Sequence, residues 1–259
     1  MTGLLAEGFA VYPAEAATQT WVDAAAPAAE AALQDPALAD WYQCENTWFV
    51  GLDALPNDSV GRLNGSGPLT GAAMAAAQAL VGAAPPLHPA QLSVTFPGYP
   101  KPRAGETEAA FRYRLNRDAA HVDGVIGKGS PKRRFVEEPH AYILGVALND
   151  ADPHSAPLVA WRGSHRIMHA AFARAFQDVP RSARAHHDLT DIYVAARKAV
   201  FDSCERVALP LKRAEAVLLH PFTLHGVAPW GGGQGDRRIA YVRPELDGGI
   251  DAWLALPID

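Results

Sequence analysis

Residues 121–123 read His-Val-Asp. Far downstream comes His220-Pro221-Phe222-Thr223-Leu224-His225-Gly226, followed by Arg237-Arg238-Ile239-Ala240-Tyr241. On a strand the side chains alternate between faces, so an imidazole at i and a carboxylate at i+2 point the same way and can grip one metal ion. A later strand end carrying His225 can supply a third ligand. Two histidines and one carboxylate on one side of an ion, with the other side open, suit a non-haem Fe(II) oxygenase. An arginine beyond the last ligand can hold a cosubstrate carboxylate through a planar two-point fork.

His-x-Asp alone is a weak signal, because a chain with ten histidines produces such pairs by chance. The stretch 216–226 strengthens it: an apolar run ends in histidine and breaks at Gly226, which suits a ligand at a barrel mouth. His220 competes with His225 for the third place. The two are an odd number of positions apart, so alternation on one strand faces them oppositely, and the glycine after His225 favours that residue. Arg237 and Arg238 compete in the same way for the carboxylate, since alternation puts only one of the two inside.

These residues need a scaffold that brings distant strands together. The first ninety residues read as mainly helical, with a short strand over 9–12 and helices over 14–33 and 69–81; Pro68 and Gly82 punctuate the second helix. Between them the aromatic-rich segment 41–50 is expected to pack in a core or sheet. From residue 91 strands are expected over 91–96, 109–115, 119–123, 141–148, 158–161, 206–211, 216–219 and 239–243, with Gly, Pro, Asn and Asp between them. Helical periodicity over 162–176 and 188–205 interrupts the series. The expected fold is therefore α+β: a double-stranded β-helix (jelly-roll, cupin-like) core with flanking helices. Residues 1–259 are expected to form one oxygenase domain. Within it, a mainly helical N-terminal segment over residues 1–90 packs on a core of 91–245, which carries a helical insertion at about 165–205.

Composition bounds the partners. Apolar residues make up 49% and charged residues 20%, enough for a sizeable core, and the net charge of −5 argues against nucleic-acid binding. Cys44 and Cys204 lack metal-type spacing and read as reduced thiols. The N-terminus has no basic region before its apolar residues, so no secretory signal is expected. The uncharged stretch 71–87 is too short and too rich in alanine and glycine to span a bilayer. A cytoplasmic protein without membrane or nucleic-acid partners is expected.

The motifs His121-Val122-Asp123, Gly163-Ser164-His165-Arg166, Leu219-His220-Pro221-Phe222-Thr223-Leu224-His225-Gly226 and Arg237-Arg238-Ile239-Ala240-Tyr241 together resemble the phytanoyl-CoA dioxygenase family of Fe(II)- and 2-oxoglutarate-dependent oxygenases. The resemblance runs from about residue 91 to 245. It implies that His121, Asp123 and His225 are the iron ligands and that Arg237, or else Arg238, pairs with the distal carboxylate of 2-oxoglutarate. Family members often carry a hydroxyl two residues after the distal histidine. Here that place is Val227, so the resemblance leaves Thr223 or Tyr113 to supply the contact. The implied reaction consumes O2 and 2-oxoglutarate, releases succinate and CO2, and hydroxylates a small organic substrate. The carboxylate of Asp123 favours hydroxylation, since a small residue there would free a site for halide.

The run Lys128-Gly129-Ser130-Pro131-Lys132-Arg133-Arg134 is a solvated loop on one reading. On another, Lys132 and Arg133 draw an anionic substrate to the site mouth. Arg112, Arg114 and Arg117 are further candidate contacts, and His140 is a candidate border of the substrate pocket. His165 is expected to pack beside the site, and the remaining histidines on the surface or in the core. The alternatives are a cupin-type isomerase or dioxygenase needing no cosubstrate, and a non-catalytic binding domain on the same fold. Arg237 argues against the first and the intact triad against the second.

Overall fold

Short apolar runs in this chain bury both faces, each against a different layer. The computed structural model describes residues 2–83 and 85–259; Met1, and Ala84 within the stretch 71–87, lie outside the described residues. The N-terminal region holds α1 (Thr2–Glu7), β1 (Phe9–Tyr12), α2 (Ala16–Gln34), β2 (Tyr42–Gln43), β3 (Trp48–Leu55) and α3 (Ala72–Val81). Next come β4 (Ala90–Thr95), α4 (Glu108–Asn116), β5 (Val125–Lys128), β6 (Arg133–Val136), β7 (Ile143–Ala147) and β8 (Leu158–Trp161). Helices α5 (Ser164–Phe176) and α6 (Thr190–Ser203) precede β9 (Arg206–Leu209), β10 (Ala216–Leu219), β11 (His225–Val227), β12 (Arg237–Val242) and α7 (Gly249–Leu254).

Seven strands form one antiparallel sheet in the order β1-β10-β7-β12-β4-β3-β2, and three form a second, β11-β8-β9. Strand β10 shows how the layers arise. Ala216 and Leu218 pack with Trp21 and Val22 of α2 and Met74 of α3, whereas Val217 and Leu219 pack with Leu158 and Ala160 of the smaller sheet. The other face of that sheet, Val159 and Trp161, meets Phe172 of α5 and Tyr193 of α6. Burying a leucine stabilises by about 2 kcal/mol, and a one-residue slip would exchange both faces, so the alternation sets the register. The result is helices, large sheet, small sheet, helices, with a space between the two sheets at one end.

Three sequence expectations change. The first ninety residues are less helical than expected, because β1, β2 and β3 all join the large sheet. Residues 109–115 form helix α4 and not a strand: the Thr107 hydroxyl accepts the Ala110 N–H at 3.2 Å, Glu108 lies in the first turn, and the alternating Phe111, Tyr113 and Leu115 are only partly buried or exposed. The basic run 128–134 belongs to a hairpin, β5 paired with β6. Among the described residues, no helix is long and apolar enough to cross a membrane.

Candidate metal centre

His225 opens β11 on the smaller sheet, and His121 meets it across a single antiparallel bridge. Each backbone N–H donates to the other's carbonyl, at 2.8 and 3.0 Å, so the two side chains leave one patch of backbone together. Residues 119–123 therefore supply one bridge and a turn where a strand was expected. Two glycines make this close approach possible. A Cβ on Gly226 would lie 2.0 Å from the Asp118 carbonyl, and one on Gly124, which has φ +77°, would lie 1.9 Å from the Glu138 carbonyl. Each follows a candidate ligand directly in sequence. The carboxylate of Asp118, held by two bonds of 2.7 Å from Arg206, anchors the segment leading to His121.

Asp123 turns its carboxylate onto the histidine pair. Oδ1 lies 3.0 Å from Nε2 of His121 and 3.8 Å from Nε2 of His225, and one donor atom from each of the three residues lies within 4.8 Å of the others. Both imidazoles are held alike: Nδ1 of His121 lies 2.9 Å from the Ala119 carbonyl and Nδ1 of His225 lies 2.9 Å from the Thr223 carbonyl. A carbonyl only accepts, so each Nδ1 carries a proton and each Nε2 faces the centre of the group, that of His225 with its lone pair and that of His121 through the hydrogen bond to Asp123.

The electrostatics suit a cation. Burial pushes the His225 pKa down to about 4, so this imidazole is neutral at neutral pH. Burial alone would raise the pKa of Asp123, but the His121 hydrogen bond and the nearby Arg243 guanidinium hold its carboxyl well below the usual range. Burial would lower the pKa of His121; the hydrogen bond and charge of Asp123 outweigh this and raise it. A divalent ion would replace the proton shared between His121 and Asp123.

The group opens into a cavity of about 310 Å³ between the two sheets, walled by Trp48, Ser93, Ile143, Leu158, Val227 and Tyr241. Arg243 also lines it, with Nη1 3.3 Å from Oδ2 of Asp123. Sequence reasoning passed over Arg243, although alternation along β12 from Arg237 through Ile239 and Tyr241 points to it. Ser93 and Gln91 lie on the cavity side of β4 and had no local signal.

The other candidates fall in different places. Arg237 is buried on β12; Nη2 reaches the Tyr241 hydroxyl at 3.5 Å, and Nη1 has no partner among the described residues. Arg238 faces the other way and is spent on Asp236 and Glu30. His220 is remote from the group because it lies in the turn after β10, not because it shares a strand with His225; its Nε2 donates to the Pro257 carbonyl at 3.0 Å. The hydroxyl of Thr223 donates to the Gly8 carbonyl, and that of Tyr113 lies 3.3 Å from the Ala120 carbonyl. Thr223, Tyr113 and Arg237 all lie outside the lining of the cavity, but the two hydroxyls, unlike Nη1 of Arg237, are already turned to backbone carbonyls, which corrects their expected role beside Val227.

His140 is buried and borders an adjoining cleft that shares Glu138, Tyr241 and Arg243 with the main cavity. Lys132 and Arg133 are exposed on the hairpin, Arg133 paired with Asp188, and neither lines either space. These positions fit the reading of the run as a solvated segment. Arg114 is committed to Glu106, Arg112 pairs with Glu108, and Arg117 stacks on Phe201. His165 is buried on α5, with Nε2 3.0 Å from the Leu5 carbonyl.

No protein-family model matches the chain, and no curated protein matches it. Among solved structures, the chain is similar to SnoK, a non-heme alpha ketoglutarate dependent carbocyclase from nogalamycin biosynthesis. The two share 17% identity with a TM-score of 0.57, over 95% of this chain and 83% of that one. It is similar to AviO1 from Streptomyces viridochromogenes Tue57, at 17% identity and TM-score 0.51, over 96% and 94% of the two chains. A third is EctD from S. alaskensis with bound Fe, at 15% identity and TM-score 0.50, over 94% and 74%. The chain has the mixed α/β fold of these proteins, built on a large antiparallel sheet.

Proposed function

We propose that this protein is a non-haem Fe(II)- and 2-oxoglutarate-dependent oxygenase that hydroxylates a small organic molecule, on a single-domain double-stranded β-helix of phytanoyl-CoA dioxygenase type. The observation that carries this reading is the convergence of His121, Asp123 and His225 in a cavity between two sheets, with both Nε2 atoms directed inward by Nδ1–carbonyl hydrogen bonds. Two imidazoles and one carboxylate form the donor set that holds Fe(II) while leaving positions open. With 2-oxoglutarate and O2, bound iron supplies oxidation of a C–H bond coupled to release of succinate and CO2.

The chain's own residues set up that chemistry. His121, Asp123 and His225 would hold the metal, and the carboxylate of Asp123 keeps a third protein ligand where a smaller residue would leave room for halide. Arg237 would bind the far carboxylate of 2-oxoglutarate; its buried Nη1, without a partner among the described residues, suits an anionic acceptor. A cupin-type enzyme without this cosubstrate would leave that donor unexplained. The aromatic and aliphatic walls supplied by Trp48, Ile143, Leu158 and Tyr241 would exclude water and seat a small substrate.

Anaerobic titration with Fe(II) and then 2-oxoglutarate tests the reading. A weak visible charge-transfer band that requires both additions is expected, and it should be lost in Asp123→Ala. Tight iron binding with no response to 2-oxoglutarate would sink the cosubstrate assignment and favour the cupin-type alternative.

A further inference from the structure

We propose that the acidic cleft beside the metal centre binds an organic ammonium group, and that this group is one end of the substrate; the second half rests on the oxygenase reading above. The cleft holds about 270 Å³ and is continuous with the main cavity, since Leu52, Gln91, Glu138, Tyr241 and Arg243 line both. Its lining is uneven in charge. Asp53, Glu138 and Glu245 bring three carboxylates, and the one basic side chain among the lining residues besides two histidines is Arg243, which is turned to Asp123. A cleft walled by one sign of charge concentrates ions of the other, here cations. Separate segments deliver the carboxylates. Strand β3 shifts its register on β4 between Gly51 and Leu55, and this irregularity carries Leu52 and Asp53 to the exposed rim. Asp53 adopts φ +53° there, a conformation that aspartate tolerates better than most residues. Glu245 follows β12 and meets His140 in an isolated antiparallel bridge, which places the two side chains on one face.

His140 narrows the kind of ligand. It is only 4% exposed and lines the cleft, yet neither ring nitrogen has a hydrogen-bond partner among the described residues. Its Nε2 lies 3.3 Å from Oε2 of Glu138, a contact short of a well-aligned hydrogen bond. In a neutral ring that carboxylate favours the proton on Nε2, which leaves Nδ1 as an unused acceptor. A buried polar atom without a partner is costly, and folded proteins retain one where a ligand completes it. Apart from Arg243, the charged groups of the cleft and the orphaned imidazole nitrogen are therefore acceptors. An ammonium group carries one positive charge, three donors and no acceptor, and so complements them. A bare metal ion is a poorer match. Among the described residues only His121, Asp123 and His225 bring donor atoms close enough together to hold one. The apolar body of an amine would rest on Trp48, Val50, Leu52 and Ile143 in the adjoining cavity, beside the metal centre.

The test compares two probes of one shape, cyclohexylammonium and cyclohexanol, binding to the full chain loaded with redox-inert Mn(II), with and without 2-oxoglutarate. Calorimetry is expected to show the ammonium bound at least about tenfold more tightly than the alcohol. Glu245→Gln and His140→Phe should each weaken the ammonium about tenfold and leave the alcohol within about twofold. Glu108→Gln, which removes the same charge on α4, should change neither. Glu245 is exposed, so its variant keeps the test readable if His140→Phe fails to fold. Because the cleft opens onto the metal centre, bound Mn(II) should also broaden the proton resonances of the ammonium probe, and metal-free protein should not. Equal affinity for the two probes, or a preference that Glu245→Gln leaves intact, would overturn the inference. Tight ammonium binding without broadening would place the cation away from the metal centre and overturn its assignment to the substrate. An ammonium preference in a protein that does not respond to 2-oxoglutarate would instead remove the oxygenase reading and leave the cleft's ligand class standing.

Discussion

Arg243 places Nη1 3.3 Å from Oδ2 of Asp123, the carboxylate oxygen that does not face His121. The guanidinium thereby holds the carboxylate by one oxygen and leaves Oδ1 to the histidines. Groups that orient a metal ligand in this way are commonly worth about ten- to a hundredfold in metal affinity. Arg243→Met preserves much of the side-chain bulk and should weaken Mn(II) or Fe(II) binding by about tenfold. Metal titration of the purified variant checks this. An unchanged constant would mean that the turn at Asp123-Gly124 positions the carboxylate unaided.

Removing the carboxylate itself is expected to be more severe. Asp123→Ala should lose at least about a hundredfold in metal affinity and all oxygen-dependent succinate formation, because two neutral imidazoles lack both the charge and the third ligand. The far-UV circular dichroism should stay that of the wild type, since Asp123 lies in a turn at the cavity and packs in no apolar cluster. Wild-type succinate production by this variant would remove Asp123 from the site.

The two histidines of the segment 220–225 should part company. His225→Ala is expected to abolish metal binding. His220→Ala should keep it and lose about 2–4 kcal/mol of stability, through a cavity beside Phe222 and the lost bond to the Pro257 carbonyl. Metal titration and urea unfolding of both variants separate the roles. Loss of metal in His220→Ala with retention in His225→Ala would reverse them.

His220 also predicts an acid sensitivity. Its Nε2–H donates to Pro257 and its Nδ1 accepts the Phe222 N–H, so the folded protein holds it neutral, and burial pushes its pKa down to about 3. The folded-state value lies below the unfolded value of about 6.5, so the contribution is whole above pH 6.5 and is lost as pH falls toward 3. Between pH 6.5 and 4 this residue alone costs about 3 kcal/mol. Unfolding free energies measured at both pH values should show a shallower fall by about that amount in His220→Gln. Equal slopes in variant and wild type would contradict the assignment.

On β12 the two arginines are expected to differ just as sharply. Arg237→Lys keeps the charge but loses the planar fork and should weaken 2-oxoglutarate binding by about 10- to 100-fold with metal affinity unchanged. Arg238→Lys should leave the cosubstrate constant alone and cost about 1 kcal/mol or less of stability, because its partners Asp236 and Glu30 lie on the opposite face. Cosubstrate titrations of the pair decide it; a larger effect in Arg238→Lys would exchange their roles.

Where side chains repeat on a local period, the amino-acid order already carries the structure. The runs at 158–161 and 216–219 form strands, the periodic segments 164–176 and 190–203 form helices, and the His-x-Asp and His-Gly motifs stand out as candidate ligands, because alternation and helical periodicity are set by neighbours in the chain. The same local rule misleads at Phe111, Tyr113 and Leu115, where alternation imitates a strand but the Thr107 cap and an open flank allow a helix. Placement across the chain is a different matter. Whether His121 meets His225, whether Arg243 reaches Asp123, and whether His140 stands opposite Glu245 all depend on strand pairings between residues far apart in sequence. No local periodicity encodes those pairings. They follow from burying both faces of two sheets at once, and only the tertiary structure decides which polar side chains are left facing the space between them.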